Sequence, residues 1–319
     1  MKKNLKFGLL AIIAMVTFAS SSCSNDDSNQ TTDNTITGIA SRTTNLSILV
    51  QALTRADLAT TLRGTGPFTV FAPTNEAFAT FLTSNGYASI NDVPVAALKE
   101  ILLNHVVSGE NLSTSLSTGY VKTLAKGAAS TTNTLSMFIN TASGVRINGV
   151  SSVITADIDA SNGVVHIVDA VIGLPTVVTH AAANPDFSTL VAALQFNPSS
   201  GFIGVLSGTT NAPFTVFAPT NAAFTSFLTE TTYSGLAAIP AHVLEKTLKY
   251  HVVTGANALS SSLSENQVIG TFSGQSVTVK TSPTRLKDVS NRDCNIVNTD
   301  VQCANGVIHV LSKVLLPTF

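Results

Sequence analysis

Apolar positions recur with helical spacing at the start of two long segments of the chain. In Leu46–Leu53 they follow the i, i+3, i+4, i+7 pattern of one buried helical face, and the pattern returns in Phe187–Leu194. Each segment therefore predicts an amphipathic helix that packs against a core.

The eight-residue sequence FTVFAPTN occurs twice, at Phe68–Asn75 and at Phe214–Asn221. Its first five residues are apolar and β-prone, and its proline cannot continue a strand ladder, so a strand gives way to a turn. Thr74 or Asn75 is then placed to cap a helix whose apolar face begins at Phe78.

A later helix is predicted in each copy, in Leu98–His105 and Leu244–His251, with the histidine at its inward edge. Alternating β patterns follow, for example in Ser276–Lys280. The chain therefore needs both helices and strands, which favours the α+β class.

Asn-Gly pairs precede the last apolar run of each copy. Asn162-Gly163 and Asn305-Gly306 suit the positive φ values of a tight hairpin turn. The final strands are predicted at Val164 to Ile172 and at Val307 to Leu315.

The landmarks establish an internal duplication, because FTVFAPTN and the later HVV sequence both return 146 positions further on. We place the first domain at residues 38–174 and the second at residues 176–319, with Pro175 near the junction. A linker this short restricts interdomain motion.

The first residues predict export. A basic start and an apolar run give way to small residues before Cys23, which is typical of a lipoprotein signal peptide over residues 1–22. Cys23 would then carry the lipid, and residues 23–37 would form a flexible tether. The alternative is a plain secreted protein in which this cysteine is incidental.

The acidic residues after Cys23 resemble the tether of Bacteroidetes-type lipoproteins, which favours the outer membrane and the cell surface. A polar spacer facing the periplasm is the alternative. Removing the leader leaves 14 basic against 18 acidic residues, so the lipid alone would hold the chain at the membrane. With no excess of basic residues, nucleic acid is not an expected partner.

Cys294 and Cys303 lie eight residues apart in a chain expected to be exported. A pair of cysteines in an oxidising compartment favours a disulfide bond. Two free thiols are the alternative.

Three ordered motifs in each copy resemble the FAS1 (fasciclin) domain: FTVFAPTNEAF, the HVVSGE and HVVTGA segments, and NGVVHIVDAVIGLP or NGVIHVLSKVLLP. The resemblance covers nearly everything after residue 37. It implies two tandem domains, each a β-sandwich-like core wrapped by helices. It further implies extracellular adhesion without catalytic activity or a cofactor.

The family's adhesive region, near a Tyr-His pair, corresponds to Tyr250 and His251 in the second copy. The first copy has Asn104 and His105, so the tyrosine is missing there. The resemblance therefore points to the second copy as the candidate adhesive region.

Several polar residues recur within apolar patterns, which favours structural over metal or catalytic roles. These residues are His105, His166, His251, His309, Asp157 and Asp300. His180 and His242 lack repeat partners and are interpreted as incidental. No catalytic, cofactor or metal residues are predicted.

Three functions follow as hypotheses. The first is a non-enzymatic adhesion lipoprotein that contacts extracellular matrix, polysaccharide or a cell-envelope protein. The second is an accessory glycan-binding component of a polysaccharide-handling system, and the third is a hydrolase with an unrecognised site that would use Asp157 and Asp300. The sequence leaves the ligand and the oligomeric state open.

Overall fold

The computed structural model describes residues 32–196 and 201–319, and Asp33–Phe319 forms one compact unit. The α-helices of the described part are α1 (Ile36–Arg42), α2 (Ser47–Arg55), α3 (Asn75–Ser84), α4 (Val95–Leu103), α5 (Val177–Ala183), α6 (Ser188–Gln195), α7 (Phe202–Ser207), α8 (Asn221–Thr231) and α9 (Ala241–Tyr250).

The strands of the first repeat are β1 (Phe68–Pro73), β2 (Val106–Ser108), β3 (Gly119–Lys122), β4 (Ser136–Asn140), β5 (Arg146–Ile147), β6 (Ser151–Ala160) and β7 (Gly163–Val168). Those of the second repeat are β8 (Phe214–Pro219), β9 (Val252–Thr254), β10 (Val268–Gly270), β11 (Ser276–Thr281), β12 (Thr284–Lys287), β13 (Asp293–Cys303) and β14 (Gly306–Leu311). The last strands are thus shorter than predicted.

Each repeat folds around one seven-stranded sheet. The order is β2-β1-β7-β6-β5-β4-β3 in the first repeat, and the second repeat has the equivalent order. Only β1 with β7 and β8 with β14 pair in parallel among the described strands. A bridge between Val107 and Thr123 joins the two ends of the first sheet, so the sheet curves into a barrel-like core. The predicted α+β class is confirmed.

Apolar clusters cover both sides of β1. Val70 and Ala72 face the cluster formed with the helices, whereas Phe71 faces the cluster inside the curved sheet. Successive strand residues point to opposite faces, so a strand covered on both faces is mostly apolar, and the buried Thr69 hydroxyl donates to Gly109 O at 2.7 Å. This explains why FTVFA lacks polar alternation.

The end of the FTVFAPTN motif joins two helices. The Thr74 side chain accepts a hydrogen bond from Ala77 N at 3.1 Å and so caps α3. Asn75 Oδ1 accepts from Ile48 N at 2.9 Å, which secures the start of α2. Thr74 is therefore the N-cap, and Asn75 holds a neighbouring helix.

The Asn-Gly pairs lie at tight hairpins, as predicted, since Ala160 pairs with Gly163 between antiparallel β6 and β7, and Cys303 pairs with Gly306 between β13 and β14. Neither Asn162 nor Asn305 has a positive φ, and Gly163 and Gly306 are the first residues of β7 and β14. A Cβ at Gly163 would lie 1.9 Å from the main-chain oxygen of Phe68, on the parallel neighbour strand. The hairpins are therefore present, but the predicted turn geometry does not account for the glycines, because Gly163 has a φ of 142° and close approach of the parallel neighbour strand requires glycine here.

Contacts join the two repeats directly. Lys122 Nζ donates to the main-chain oxygen of Asp300 at 2.8 Å, and Gln302 N donates to Ser136 Oγ at 3.0 Å. We call these residues, together with Tyr120, His180 and Ala304, the domain junction. Because several of its hydrogen bonds involve the main chain, the junction resists rotation of one repeat against the other.

Candidate functional site

Tyr250 and His251, the candidate adhesive residues, lie in the core. The Tyr250 side chain is 0% exposed. Its hydroxyl donates a hydrogen bond to Ser276 O at 2.8 Å and accepts one from Val289 N at 3.0 Å. His251 is 3% exposed. Neither side chain can contact a partner in this conformation, so an adhesive region here would use the surface around them.

The histidines at the ends of α4 and α9 have the same arrangement. Nδ1 of His105 donates to Ile101 O at 2.7 Å, and its Nε2 accepts from Ile172 N at 2.9 Å. His251 repeats this with Thr247 O and Leu315 N. Burial lowers the pKa of both histidines to about 4, so both are neutral at pH 7.

Ser113, Asp157 and His166 form a cluster beside the β6 bulge, where Asp157 has a φ of 60°. Ser113 N and Oγ both donate to the Asp157 carboxylate, at 2.7 and 2.5 Å. These bonds lower the pKa of Asp157. His166 Nε2 bonds to Asn111 O at 2.9 Å, and its Nδ1 accepts from Asp157 N at 3.2 Å.

This cluster cannot work as a nucleophilic triad. A triad requires the serine hydroxyl to donate to the histidine, which then acts as general base. Here the Ser113 hydroxyl donates to the carboxylate instead, and both ring nitrogens of His166 are engaged with the main chain. The arrangement locks a loop onto the bulged strand.

The second repeat has an equivalent cluster. Ser260 N and Oγ donate to the Asp300 carboxylate, and His309 Nε2 bonds to Ala258 O at 2.8 Å. Burial lowers the pKa of His309. Its ring stacks on Phe217, with centroids 5.8 Å apart. Within the described residues, no group of three or more His, Cys, Asp or Glu side chains could hold a metal ion.

The predicted disulfide between Cys294 and Cys303 was wrong, because both thiols are free. The two residues lie near opposite ends of the same strand, β13, and at about 3.3 Å per residue they are far beyond the Cα separation that a disulfide allows. They also belong to different apolar clusters. Burial raises the pKa of the Cys294 thiol to about 12 and that of Cys303 still further, so neither is a reactive thiolate at pH 7.

The predicted lipid site, Cys23, and most of the predicted tether lie outside the described residues. Among the helices that are described, none has both the length and the apolar character to cross a bilayer.

A surface feature that the sequence reasoning missed lies in the first repeat. A groove of about 370 Å³ runs between α2, α3 and the short turn Ile90–Asp92, and Gln51, Tyr87 and Asn91 are part of its lining. We call it the helical groove. Comparing the two repeats position by position could have found it, because both amide residues are alanine in the second copy.

The chain forms two tandem α+β domains with barrel-like sheets. The domains share matching motifs and contact each other directly, and this arrangement defines the class of protein. The sequence profile of the fasciclin domain matches residues 44–175 and again residues 185–317. The chain belongs to the fasciclin domain family.

Several similar proteins match one or both repeats of this chain. Protein sll1483 of Synechocystis sp. is 40% identical over 138 residues, which are 43% of this chain and 72% of that protein. Transforming growth factor-beta-induced protein ig-h3 of Sus scrofa is 30% identical over 275 residues, 80% of this chain but 35% of its own length. Periostin of Homo sapiens is 27% identical over 270 residues, 80% of this chain and 29% of its own. The chain thus spans about a third of the latter two proteins.

A solved FAS1 domain pair from the insect cell adhesion molecule Fasciclin I is also similar. It is 21% identical with a TM-score of 0.47, and the match covers 84% of this chain and 92% of that one.

Proposed function

We propose that this protein is a non-enzymatic adhesion lipoprotein, which presents two joined fasciclin domains to extracellular matrix, polysaccharide or a cell-envelope partner. The match of the fasciclin domain to both repeats carries the proposal. The polar clusters at Asp157 and Asp300 support it too, since their hydrogen bonds hold loops and leave no activated nucleophile.

A binding assay tests the proposed function. The purified chain is applied to an array of matrix proteins and glycans, and we expect reproducible binding to at least one class. Each domain produced alone should bind more weakly than the pair if both domains contact the partner, because linked sites raise avidity. Binding to no class would contradict the proposal, and turnover of an array component would favour a hydrolase.

The lipid anchor is tested separately with Cys23→Ala. We expect the wild-type chain in the membrane fraction and the variant in the soluble fraction, because acyl chains would provide the membrane affinity. Cys294→Ala is the matched control and should leave the fractionation unchanged. Retention of Cys23→Ala in the membrane fraction would overturn the lipoprotein proposal.

Protease treatment of intact cells separates the two orientations of the anchored protein. We propose that it faces the cell exterior, so external protease should remove it while a periplasmic marker survives. Protection equal to that of the marker would place it on the periplasmic side.

A further inference from the structure

The floor of the helical groove is apolar and its upper walls are polar. Ile48, Leu82 and Ile90 provide the apolar floor, and the half-buried ring of Tyr87 lies beside them. A pocket of a few hundred Å³ that combines apolar surface with a few placed polar groups has the character of a small-ligand site.

The rim of the groove is held in place by hydrogen bonds. Arg55 donates to Asn91 O at 2.7 Å and to Val93 O at 3.2 Å. Ser89 and Asp92 form a reciprocal capping box that fixes the turn between them. A rim fixed before binding lowers the ordering cost that a ligand must overcome.

Three polar groups of the lining are free. Within the described residues, the side-chain amides of Gln51 and Asn91 and the hydroxyl of Tyr87 form no hydrogen bond to protein. Each amide offers two donors and an acceptor, and the phenol offers one donor and an acceptor. Such groups match a ligand with many hydroxyls.

The lining described for the groove includes no charged side chain. A ligand that carries a carboxylate, sulfate or phosphate would lose water without gaining an ion pair there, which costs binding free energy. This favours an uncharged ligand.

The second repeat provides an internal comparison. Tyr87 corresponds to Tyr233, but Gln51 corresponds to Ala192 and Asn91 to Ala237. The aromatic residue is therefore kept in both copies, where it packs against the helical core. The two amides are a property of the first copy alone, and the core does not require them.

We propose that the helical groove binds one sugar residue of a neutral oligosaccharide or polysaccharide. The apolar face of the sugar packs on the Tyr87 ring, and the amides of Gln51 and Asn91 bond its hydroxyls. This inference rests on the proposed binding function and assigns the first domain as the one that contacts glycan.

Titration of the full chain tests the groove. The probes are cellohexaose, mannohexaose and maltohexaose, with hexagalacturonate as the acidic comparison. Calorimetry gives the affinity, and because the chain has four tyrosines and no tryptophan, a change in tyrosine fluorescence is assigned to Tyr87 only if it is lost in Tyr87→Ala. We expect saturable binding of at least one neutral hexasaccharide and no tighter binding of the acidic one.

Variants locate the site. Gln51→Ala with Asn91→Ala copies the second repeat and should weaken binding by about tenfold or more, since each neutral hydrogen bond contributes roughly a few-fold. Tyr87→Ala should weaken it further. Tyr233→Ala is the matched control and should leave the affinity unchanged. If Tyr87→Ala does not fold, the double variant of Gln51 and Asn91, both at exposed positions, still tests the site.

Several results would overturn this inference. They are binding of none of the neutral hexasaccharides at millimolar concentration, binding only of hexagalacturonate, or neutral binding unaffected by the amide variants. Array binding to a protein partner combined with no hexasaccharide binding would reject the groove and leave the adhesion function standing. An empty array would reject the adhesion function itself.

Discussion

Asn305 links three segments of the second repeat through one buried side chain. Its Oδ1 accepts from Val177 N at 3.0 Å, and its Nδ2 donates to Leu206 O at 2.8 Å and Gly208 O at 3.0 Å. Asn162 makes the equivalent bonds in the first repeat. The sequence shows only that an Asn-Gly pair recurs. Its role could not be predicted because the three partners are distant in the chain.

Asn305→Ala should lower the free energy of unfolding by about 2–4 kcal/mol, because a side chain that is 4% exposed would leave buried main-chain groups unpaired. Asn305→Asp should destabilise at least as much, because a carboxylate would face two carbonyl oxygens. Urea unfolding measures both changes.

Asn45→Ala, at an exposed position, is the control for the asparagine variants and should change the free energy of unfolding by less than about 0.5 kcal/mol. The loss of unfolding free energy in Asn162→Ala should lie between those of Asn305→Ala and Asn45→Ala, because Asn162 is only half-buried. An Asn305→Ala protein as stable as Asn45→Ala would refute the role of this side chain.

Helices α4 and α9 are each followed within two residues by a histidine that joins the helix to the segment after the last strand. The 3.6-residue spacing predicted the helix and the inward direction of His105 and His251. It could not reveal the second bond of each ring, to Ile172 N and Leu315 N, because that partner is more than sixty residues away.

These two histidines predict a loss of stability in acid. Their folded-state pKa is about 4 and the ordinary value is 6.5, so between these pH values the unfolded chain binds protons that the folded chain does not. The free energy of unfolding should therefore fall by about 3 kcal/mol per histidine as the pH drops from 7 to 4.

Denaturant unfolding across this pH range checks the acid effect. His251→Gln should be less stable at pH 7 and should lose less stability in acid than the wild type, because one buried protonation site is gone. His242→Gln, at an exposed position, should keep the wild-type pH dependence. An unchanged acid loss in His251→Gln would contradict the linkage.

Strand β13 shows why cysteine spacing misled the sequence analysis. The pairing rule assumes that the chain between two cysteines can turn back, but Asp293–Cys303 is one extended strand with bulges. Polar residues interrupt its apolar pattern at the bulge, which is why the strand could not be recognised along its whole length. Period-two patterns predict strands only where the register is regular.

The arrangement of the two repeats as a pair depends on residues that the duplication itself conceals. Matching motifs predicted two copies of one fold, and the fasciclin profile covers both. The domain junction could not be predicted from the duplication. It joins a face of the first repeat to a different face of the second, so its residues need no counterpart in the other repeat. His180, interpreted from the sequence as incidental, lies at its centre.

His180 is fully buried against the first repeat. Its ring meets Tyr120 edge-on with centroids 5.4 Å apart, and neither ring nitrogen has a hydrogen-bond partner among the described residues. Burial lowers its pKa to about 3, and the nearby charge of Lys122 adds to the shift. Protonation of this ring is therefore disfavoured while it is buried in the junction.

Acid should consequently loosen the junction as well as destabilise each domain. Calorimetry is expected to show the unfolding temperatures of the two domains moving apart between pH 7 and pH 4. His180→Phe keeps an aromatic ring against Tyr120 without a group to protonate, so the separation should be smaller at pH 4. Lys122→Met removes the bond to Asp300 O and should separate the transitions already at pH 7. Lys126→Met, at an exposed position, is the control for Lys122→Met. If the two unfolding temperatures lie equally far apart in the wild type and in His180→Phe at pH 4, this histidine does not couple the domains.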